Sequence, residues 1–378
     1  MTRMADPKLN SHAVILAGGR GTRFWPRSRT RTPKQLINIV GKRTMLQQTV
    51  ERWRPLIPPA RLWCVTNIEQ AGALSKQLPA AARRNVLKEP FSRNTAAAIA
   101  LAAIHIRHAA KGDALMAVLP ADHYIGQPER YRRIVTVALE VASARNRMVV
   151  LGVPPTRPET AFGYVERAES PFAMDGFPVF PVVRFTEKPQ LPMAREYVAS
   201  GMYQWNAGMF FWRISTFLDA LRKFLPETHE AIDALSHHIG KRSYELQLKR
   251  IYSKLENISV DYAILEKAAS ADAGASRKNS NVFMVPAEVE WSDIGSWDAV
   301  YELMAKPPGE NILAGSGETL DSQGNFVWSP EKFVALIGVR DLVIVETPDA
   351  LLICPRERAQ DVGKIVKSLE HRKLTRLL

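Results

Sequence analysis

Gly18, Gly19 and Gly21 open a stretch, Leu16-Ala-Gly-Gly-Arg-Gly-Thr-Arg-Phe-Trp-Pro-Arg-Ser-Arg, that continues to Pro33-Lys34-Gln35. Between Arg20 and Lys34 it carries six basic and no acidic residues. Glycines have no Cβ, so their backbone N–H groups can approach phosphate oxygens closely, and Arg23 and Lys34 would add full charge. The stretch is not the dinucleotide fingerprint, because Phe24 stands at the third glycine position. Nor is it a P-loop: Gly41-Lys42 is followed by Arg43 and lacks the upstream glycine. A glycine cluster alone more often marks a tight strand-to-helix turn. The one-signed charge around this one points to a phosphate cradle.

Two carboxylates follow. Asp122, in Leu119-Pro-Ala-Asp122-His123, stands just past a predicted strand, where one or two acids can hold Mg²⁺ beside waters and substrate phosphates. Taken alone, Asp122 serves equally well as a cap of the next segment, and His123 reads as a structural neighbour. Asp293, in Glu290-Trp-Ser-Asp293-Ile-Gly-Ser-Trp, is a second candidate about 170 residues away. Spacing does not decide whether the two meet, and Ser292 or Asp293 could instead cap a helix. A last group comprises Glu89-Pro-Phe-Ser-Arg-Asn94-Thr95, Phe162-Gly163-Tyr164, Glu187-Lys188-Pro189 and Trp205-Asn206-Ala-Gly208. Each sets a polar residue beside Gly, Pro or an aromatic, as binding loops do, though singly each is more often a turn.

These residues need a scaffold, and the pattern supplies one. His12–Leu16, Leu62–Val65, Leu115–Leu119 and Met148–Val153 are short apolar runs that predict buried strands. Met45–Trp53, Thr95–Ala110 and Tyr131–Ala144 have helical spacing between them. Alternation of this kind predicts an α/β fold: a Rossmann-like, mainly parallel sheet flanked by helices. Val153–Pro158 and Ala168–Pro181 are Pro-rich and predict connections or a surface hairpin. Strands are expected at Val182–Phe185 and Gly208–Trp212, one or two helices over Pro226–Leu255, and a polar loop at Ala271–Asn281. Lys306–Glu310 is the best boundary, giving expected domains of 1–305 and 311–378. The second is β-rich, with strands near Phe326–Val327, Phe333–Ile337, Leu342–Val345 and Ala350–Ile353, and ends in a helix near Ala359–Leu369.

The chain has 378 residues, 46% hydrophobic and 24% charged, with a formal net charge of +13. That composition excludes disorder and fibres. Residues 1–61 hold 13 Lys and Arg against Asp6 and Glu51, a net +11. The charge fits an anionic substrate around the glycine stretch, with Arg3, Lys8, Arg52, Arg54 and Arg61 expected as solvated surface. A basic nucleic-acid-binding protein is the rival that composition favours. The arginines, however, interleave with Gly, Pro and Thr in one loop, without a stacking platform or binding module. Two cysteines, Cys64 and Cys354, form no framework and are expected in the core. No apolar run approaches the roughly 20 residues of a membrane helix, and Met1–Asn10 has no apolar stretch of a signal peptide. A cytoplasmic protein is expected.

In their order, the segments resemble the sugar-nucleotide pyrophosphorylases, most closely the mannose-1-phosphate guanylyltransferase branch. The glycine-rich opening, EP-F-SRNTA, LPADH, FGY, EKP, WNAGMF, SVDYAILEK and WSDIGSWD occur in that family's order over about 280 residues, and the match extends to Gly338–Cys354. Ala97 stands where the branch usually has proline, and Ala161 where a glycine is common. The resemblance implies the nucleotide-diphospho-sugar transferase fold and the synthesis of GDP-mannose and pyrophosphate from GTP and mannose 1-phosphate. It implies nucleotide contacts from Leu16, Ala17, Gly18, Gly19, Gly21 and Thr22, with Arg23 and Lys34 on the triphosphate. Glu89, Asn94 and Thr95 would lie near the guanine and ribose. Gly163, Glu187 and Asn206 would line the mannose, Lys188 would meet its phosphate, and Asp122 and Asp293 would hold Mg²⁺. A related enzyme with another nucleotide or hexose is the alternative within the family. The C-terminal segment would pack on the catalytic domain or on a neighbouring subunit, the latter giving a homodimer. With about 18 residues after position 360, no isomerase domain of the longer bifunctional relatives is expected.

Overall fold

The computed structural model describes residues 10–144, 146–271 and 280–378. Arg3, Lys8 and most of the Ala271–Asn281 loop lie outside the described residues. The strands of the first part are β1 (Ser11–Leu16), β2 (Leu62–Asn67), β3 (Val86–Glu89), β4 (Leu115–Pro120), β5 (Tyr124–Ile125) and β6 (Met148–Val153). They are followed by β7 (Tyr164–Arg167), β8 (Phe172–Met174), β9 (Phe177–Thr186), β10 (Tyr203–Arg213), β11 (Val282–Pro286) and β12 (Trp291–Ser292).

Ten of these form one sheet in the order β3-β2-β1-β4-β10-β6-β11-β9-β7, with β8 paired to β9. Only β9 and β10 run against the rest, so the sheet is mixed but mainly of one direction. Alternate residues of a strand face opposite sides. Val14, Val65, Met116 and Val118 therefore pack on the side of the helix Asn94–Ala110, whereas Ala13, Ile15, Cys64 and Ala117 pack on the side of Met45–Trp53 and Pro128–Ser143. This is the expected two-faced α/β arrangement. The Pro-rich segment is a hairpin, β8 to β9, turned by Asp175 and Gly176 at φ 49 and 78, as a two-residue turn requires. Helices Ile68–Gln77, Leu191–Ser200, Ile214–Phe224 and Trp297–Met304 lie beyond the expected elements, although Ile214–Phe224 carries a plain apolar stripe, Ile214, Phe217, Leu218 and Leu221, that is buried.

The carboxyl ends of β1 and β4 lie side by side, with Leu16 opposite Pro120. In an open α/β sheet this end is where ligands bind. Both the glycine-rich turn and Asp122 leave from it.

The C-terminal sheet comprises β13 (Ile312–Leu320), β14 (Phe326–Ile337), β15 (Leu342–Thr347) and β16 (Ala350–Pro355). The first three are parallel, Ile312 pairing with Phe326 and Phe326 with Val343. Parallel neighbours cannot be joined by a tight hairpin; here the short connections let the chain wind as a coil. The two runs expected near 326 and 333 belong to one strand interrupted by a bulge: Phe326–Ser329 pairs with Ile312–Gly315 and Val334–Ile337 with Gly317–Leu320, while the residues between are left out of the ladder. Phe326, Val343, Val345, Val362 and Val366 share a core with Phe24, Trp25, Met45, Ile294 and Trp297 of the first part. Cys64 is buried and Cys354 only half-buried. No helix among the described residues is long and apolar enough to cross a membrane.

Candidate active site

The glycine-rich turn begins where β1 stops, and side chains hold its carbonyls. Gln35 Nε2 donates to the carbonyls of Ala17 and Gly19, both at 2.9 Å, and Thr66 Oγ1 donates to Ala17 at 3.0 Å. Among the described residues the amides of Gly18 and Gly19 donate to nothing, so the turn offers N–H groups and hides its oxygens. Gly21 is in the left-handed region at φ 59, and an added Cβ would stand 2.5 Å from Lys34 Cβ and 2.7 Å from its amide nitrogen. Lys34 is buried against the turn for that reason.

Lys34 Nζ reaches Asp122 Oδ2 at 2.9 Å and donates to the Asp293 carbonyl at 2.6 Å. A cavity of about 240 Å³ is lined by Gly21, Thr22, Arg23, Lys34, Asp122, His123 and Asp293. The two acids, so distant in sequence, meet because β12 pairs with β5, Ser292 opposite Tyr124. Neither acid caps a helix: Trp297–Met304 is capped by Ser296 Oγ, and Pro128–Ser143 has no side-chain cap. Burial works to raise the Asp122 pKa, but Lys34 outweighs it and the group is held below the ordinary value. Burial raises that of Asp293, and the Asp122 charge adds to it against the pull of Lys34. His123 is lowered to about 4 by burial. Neutral, it accepts from Trp291 Nε1 at 3.1 Å, and its ring lines both this cavity and the larger one beside it.

A second cavity, of about 630 Å³, has two ends. One is lined by Leu16, Gly18, Gly19, Glu89, Asn94 and Thr95, and Arg23 and Asp293 also reach the cavity. Glu89 is buried under Gly18, its Oε1 accepting from the Tyr252 hydroxyl at 2.7 Å. Burial pushes its pKa up to about 7, against the lowering effect of that hydrogen bond. Asn94, at φ 63, starts the helix Asn94–Ala110 and accepts from the Thr95 amide at 2.9 Å. Thr95 Oγ1 accepts from the Val260 amide at 2.9 Å, which ties this end to the other.

At the other end lie Gly163, Glu187, Asn206 and Asp261. An added Cβ on Gly163 would meet Glu187 Oε2 at 2.4 Å, so the glycine makes room for that carboxylate. Asn206 Nδ2 donates to Asp261 Oδ1 at 2.9 Å. Asp261 is pushed up to about 7, by burial first and then by the Glu187 charge. Sequence reasoning did not single out Asp261: beside Ser259 and Val260 it looks like any first-turn helix acid. It opens a π-helical turn, Asp261–Leu265, a device frequent at functional sites. Lys188 lines neither cavity; half-exposed, it rests its Nζ 2.7 Å from Glu187 Oε1. Ala17 is buried and lines neither.

The basic run divides its charge. Arg20 pairs with Glu370, Arg29 with Asp349 at 2.7 Å, and Arg27 stacks 3.6 Å over Trp328. These three hold the C-terminal part, and only Arg23 and Lys34 of the run line the cavities. Their charge was expected to serve a bound anion; the acids and aromatic that satisfy it come from beyond residue 320, too far away for local reading. Arg52, expected on the surface, is buried, donating to Thr49 Oγ1 at 2.7 Å and the His123 carbonyl at 2.9 Å. It holds the backbone beside Asp122 from below.

Comparison with known proteins follows the same division. Residues 12–309 match the model of the Nucleotidyl transferase family, and residues 318–369 that of the MannoseP isomerase/GMP-like beta-helix domain. The chain is 38% identical to a mannose-1-phosphate guanylyltransferase of Klebsiella pneumoniae, over 94% of this chain and 73% of the relative. It is 36% identical to the alginate biosynthesis protein AlgA of Pseudomonas aeruginosa, over 94% and 72%. A crystal structure from Thermus thermophilus, described as a mannose-1-phosphate geranyltransferase, superposes with a TM-score of 0.82 at 34% identity, covering 96% of this chain and 99% of that one.

Proposed function

Because the chain belongs to the nucleotidyl transferase family, among the mannose-1-phosphate guanylyltransferases, we propose that it makes GDP-mannose and pyrophosphate from GTP and α-D-mannose 1-phosphate. The observation that carries this reading is the 630 Å³ cavity, which joins an amide-rich, acid-floored end to an end lined with the carboxylates of Glu187 and Asp261 and the amide of Asn206, groups suited to sugar hydroxyls. In this reading residues 1–305 carry the reaction and residues 311–378 form a small domain.

The free amides of Gly18 and Gly19 face the nucleotide, with Arg23 and Lys34 on its triphosphate. Buried Glu89 accepts from the N–H groups of the guanine edge, which adenine does not present, and Asn94 and Thr95 face the ribose. Gly163, Glu187 and Asn206 receive the mannose hydroxyls, and Lys188 swings from Glu187 to the sugar phosphate. A sugar-phosphate oxygen then attacks the α-phosphorus; that P–O bond forms as the bond to the bridging oxygen breaks, and pyrophosphate departs with the electron pair. The attacking phosphate is already ionised near pH 7, its second pKa being about 6, so no general base is needed. Positioning and charge neutralisation supply the catalysis.

Asp122 and Asp293 line one cavity and offer the hard oxygen donors that Mg²⁺ takes beside waters and phosphates. Bound there, the cation would supply Lewis-acid neutralisation of phosphate charge and a template for the two reactants. The test is pyrophosphate release with a matrix of nucleoside triphosphates and hexose 1-phosphates. The expected optimum is GTP with mannose 1-phosphate; a clear preference for another pair would replace the substrate assignment.

A further inference from the structure

The glycine-rich turn is gripped from outside the catalytic sheet. The helix Val362–His371 crosses it, so that a Cβ added to Gly363 would lie 3.6 Å from Thr22 Oγ1 and 3.8 Å from Arg23 Cγ. The 3-10 turn before that helix, Arg356–Asp361, carries Gln360, whose Oε1 accepts from Arg23 Nη1 at 3.1 Å. The same Nη1 donates to the Gly295 carbonyl at 2.9 Å, two residues past Asp293. Arg23 is thus held between the Asp293 segment and the C-terminal part, and all three of Arg23, Asp293 and Gln360 line a cavity of about 310 Å³.

The grip is not confined to one bond. Trp25 Nε1 donates to the Leu377 carbonyl at 2.8 Å, and Arg356 Nε pairs with Asp298 at 2.7 Å, tying the segment after Asp293 to the same part of the chain. A long guanidinium side chain on the surface samples many rotamers, and fixing it in advance lowers what a bound anion must order. Arg23 and Gln360 are both exposed, so the contact contributes little to core packing. Its direction, from the far domain onto the one arginine of the turn that reaches both reactant cavities, suits orientation of that arginine.

We propose that Gln360 is a positioning residue for GTP: the C-terminal domain reaches into the active site and aims Arg23 at the triphosphate. This rests on the reading of Arg23 as a triphosphate contact. The test is a double-mutant cycle on the full chain with Arg23→Ala, Gln360→Met and the double variant, reading kcat and KM for GTP and for mannose 1-phosphate together with Tm. The expected result is that Gln360→Met, nearly isosteric but without an acceptor, lowers kcat/KM for GTP about fivefold. KM for mannose 1-phosphate and Tm stay unchanged, and Gln360→Met adds nothing in the Arg23→Ala background. A neutral Gln360→Met, or one whose effect simply adds to that of Arg23→Ala, overturns the proposal while leaving Arg23 on the triphosphate. A neutral Arg23→Ala overturns both.

Discussion

Lys34 and Asp122 form an ion pair at 2.9 Å in the lining of the 240 Å³ cavity, and the same ammonium donates to the backbone of Asp293. One buried cation therefore organises both acids that are read as metal ligands. The pairing also means that Lys34 has a structural duty besides any contact with phosphate.

Replacing Lys34 by methionine removes the cation and leaves Asp122 without its partner. Asp122 keeps 32% side-chain exposure, so the loss is discounted for solvent to about 1–3 kcal/mol. Turnover should fall by about 100-fold or more. The folded Asp122 pKa lies below the ordinary value, so the pair's stabilisation is present above the unfolded value of about 3.9 and is lost as pH falls through the folded one. Thermal melts should show a wild-type advantage that is flat from about pH 5 to 7 and shrinks below about pH 4. An advantage independent of pH would contradict the pairing.

Asp122→Ala and Asp293→Ala should each abolish Mg²⁺-dependent turnover with the circular dichroism spectrum intact. Mn²⁺, a spectroscopic probe of such oxygen sites, should bind each variant more weakly by titration calorimetry. Near-normal product formation by Asp122→Ala would remove it from the metal site.

Glu89→Gln separates stability from function. The folded-state pKa of Glu89 is raised to about 7, so the native state holds a proton that the unfolded chain releases at lower pH. Wild-type stability therefore declines as pH rises from the unfolded value to about 7, by roughly 1–3 kcal/mol in total. Glutamine escapes that decline and still accepts from Tyr252, so the variant should melt higher than wild type at pH 8 and equally at pH 4. Its kcat/KM for GTP should drop about 10–100-fold, because an amide opposes its own N–H groups to those of guanine. In the wild type, kcat/KM for GTP should rise with pH through about 7, as the carboxylate ionises.

At the sugar end, Lys188→Met should raise KM for mannose 1-phosphate about tenfold and leave that for GTP unchanged. Asp261→Asn should move the same constant, because it alters the partner of Asn206 and the neighbour of Glu187. If either variant instead raised KM for GTP alone, the two ends of the cleft would have been exchanged.

Gly21→Ala should cost about 1–3 kcal/mol in chemical denaturation, since a Cβ there is strained at positive φ and strikes the Lys34 backbone. The conformer that relieves the clash displaces Lys34, so activity should fall further than stability does. Unchanged melting with full activity would show that the turn relaxes freely.

The sequence alone determined the local parts. The short continuous apolar runs predicted buried strands, the glycine-rich stretch followed directly on the first of them, and most residues assigned to nucleotide and sugar do line the cleft. Tertiary structure decided which of these meet. Asp122 and Asp293 come together through a two-residue pairing of β5 with β12, a contact without a local signature. Asp261 enters the cleft because the chain makes a π-helical turn there, which its neighbours do not announce. Of the charge of residues 1–61, so plain in composition, Arg23 and Lys34 face the cleft, Arg20, Arg27 and Arg29 hold the C-terminal part, and Arg52 is buried beneath the backbone at His123. Composition fixes how much charge there is. Which partner satisfies each charge depends on what folding brings within a few ångströms, and that is a property of the whole chain.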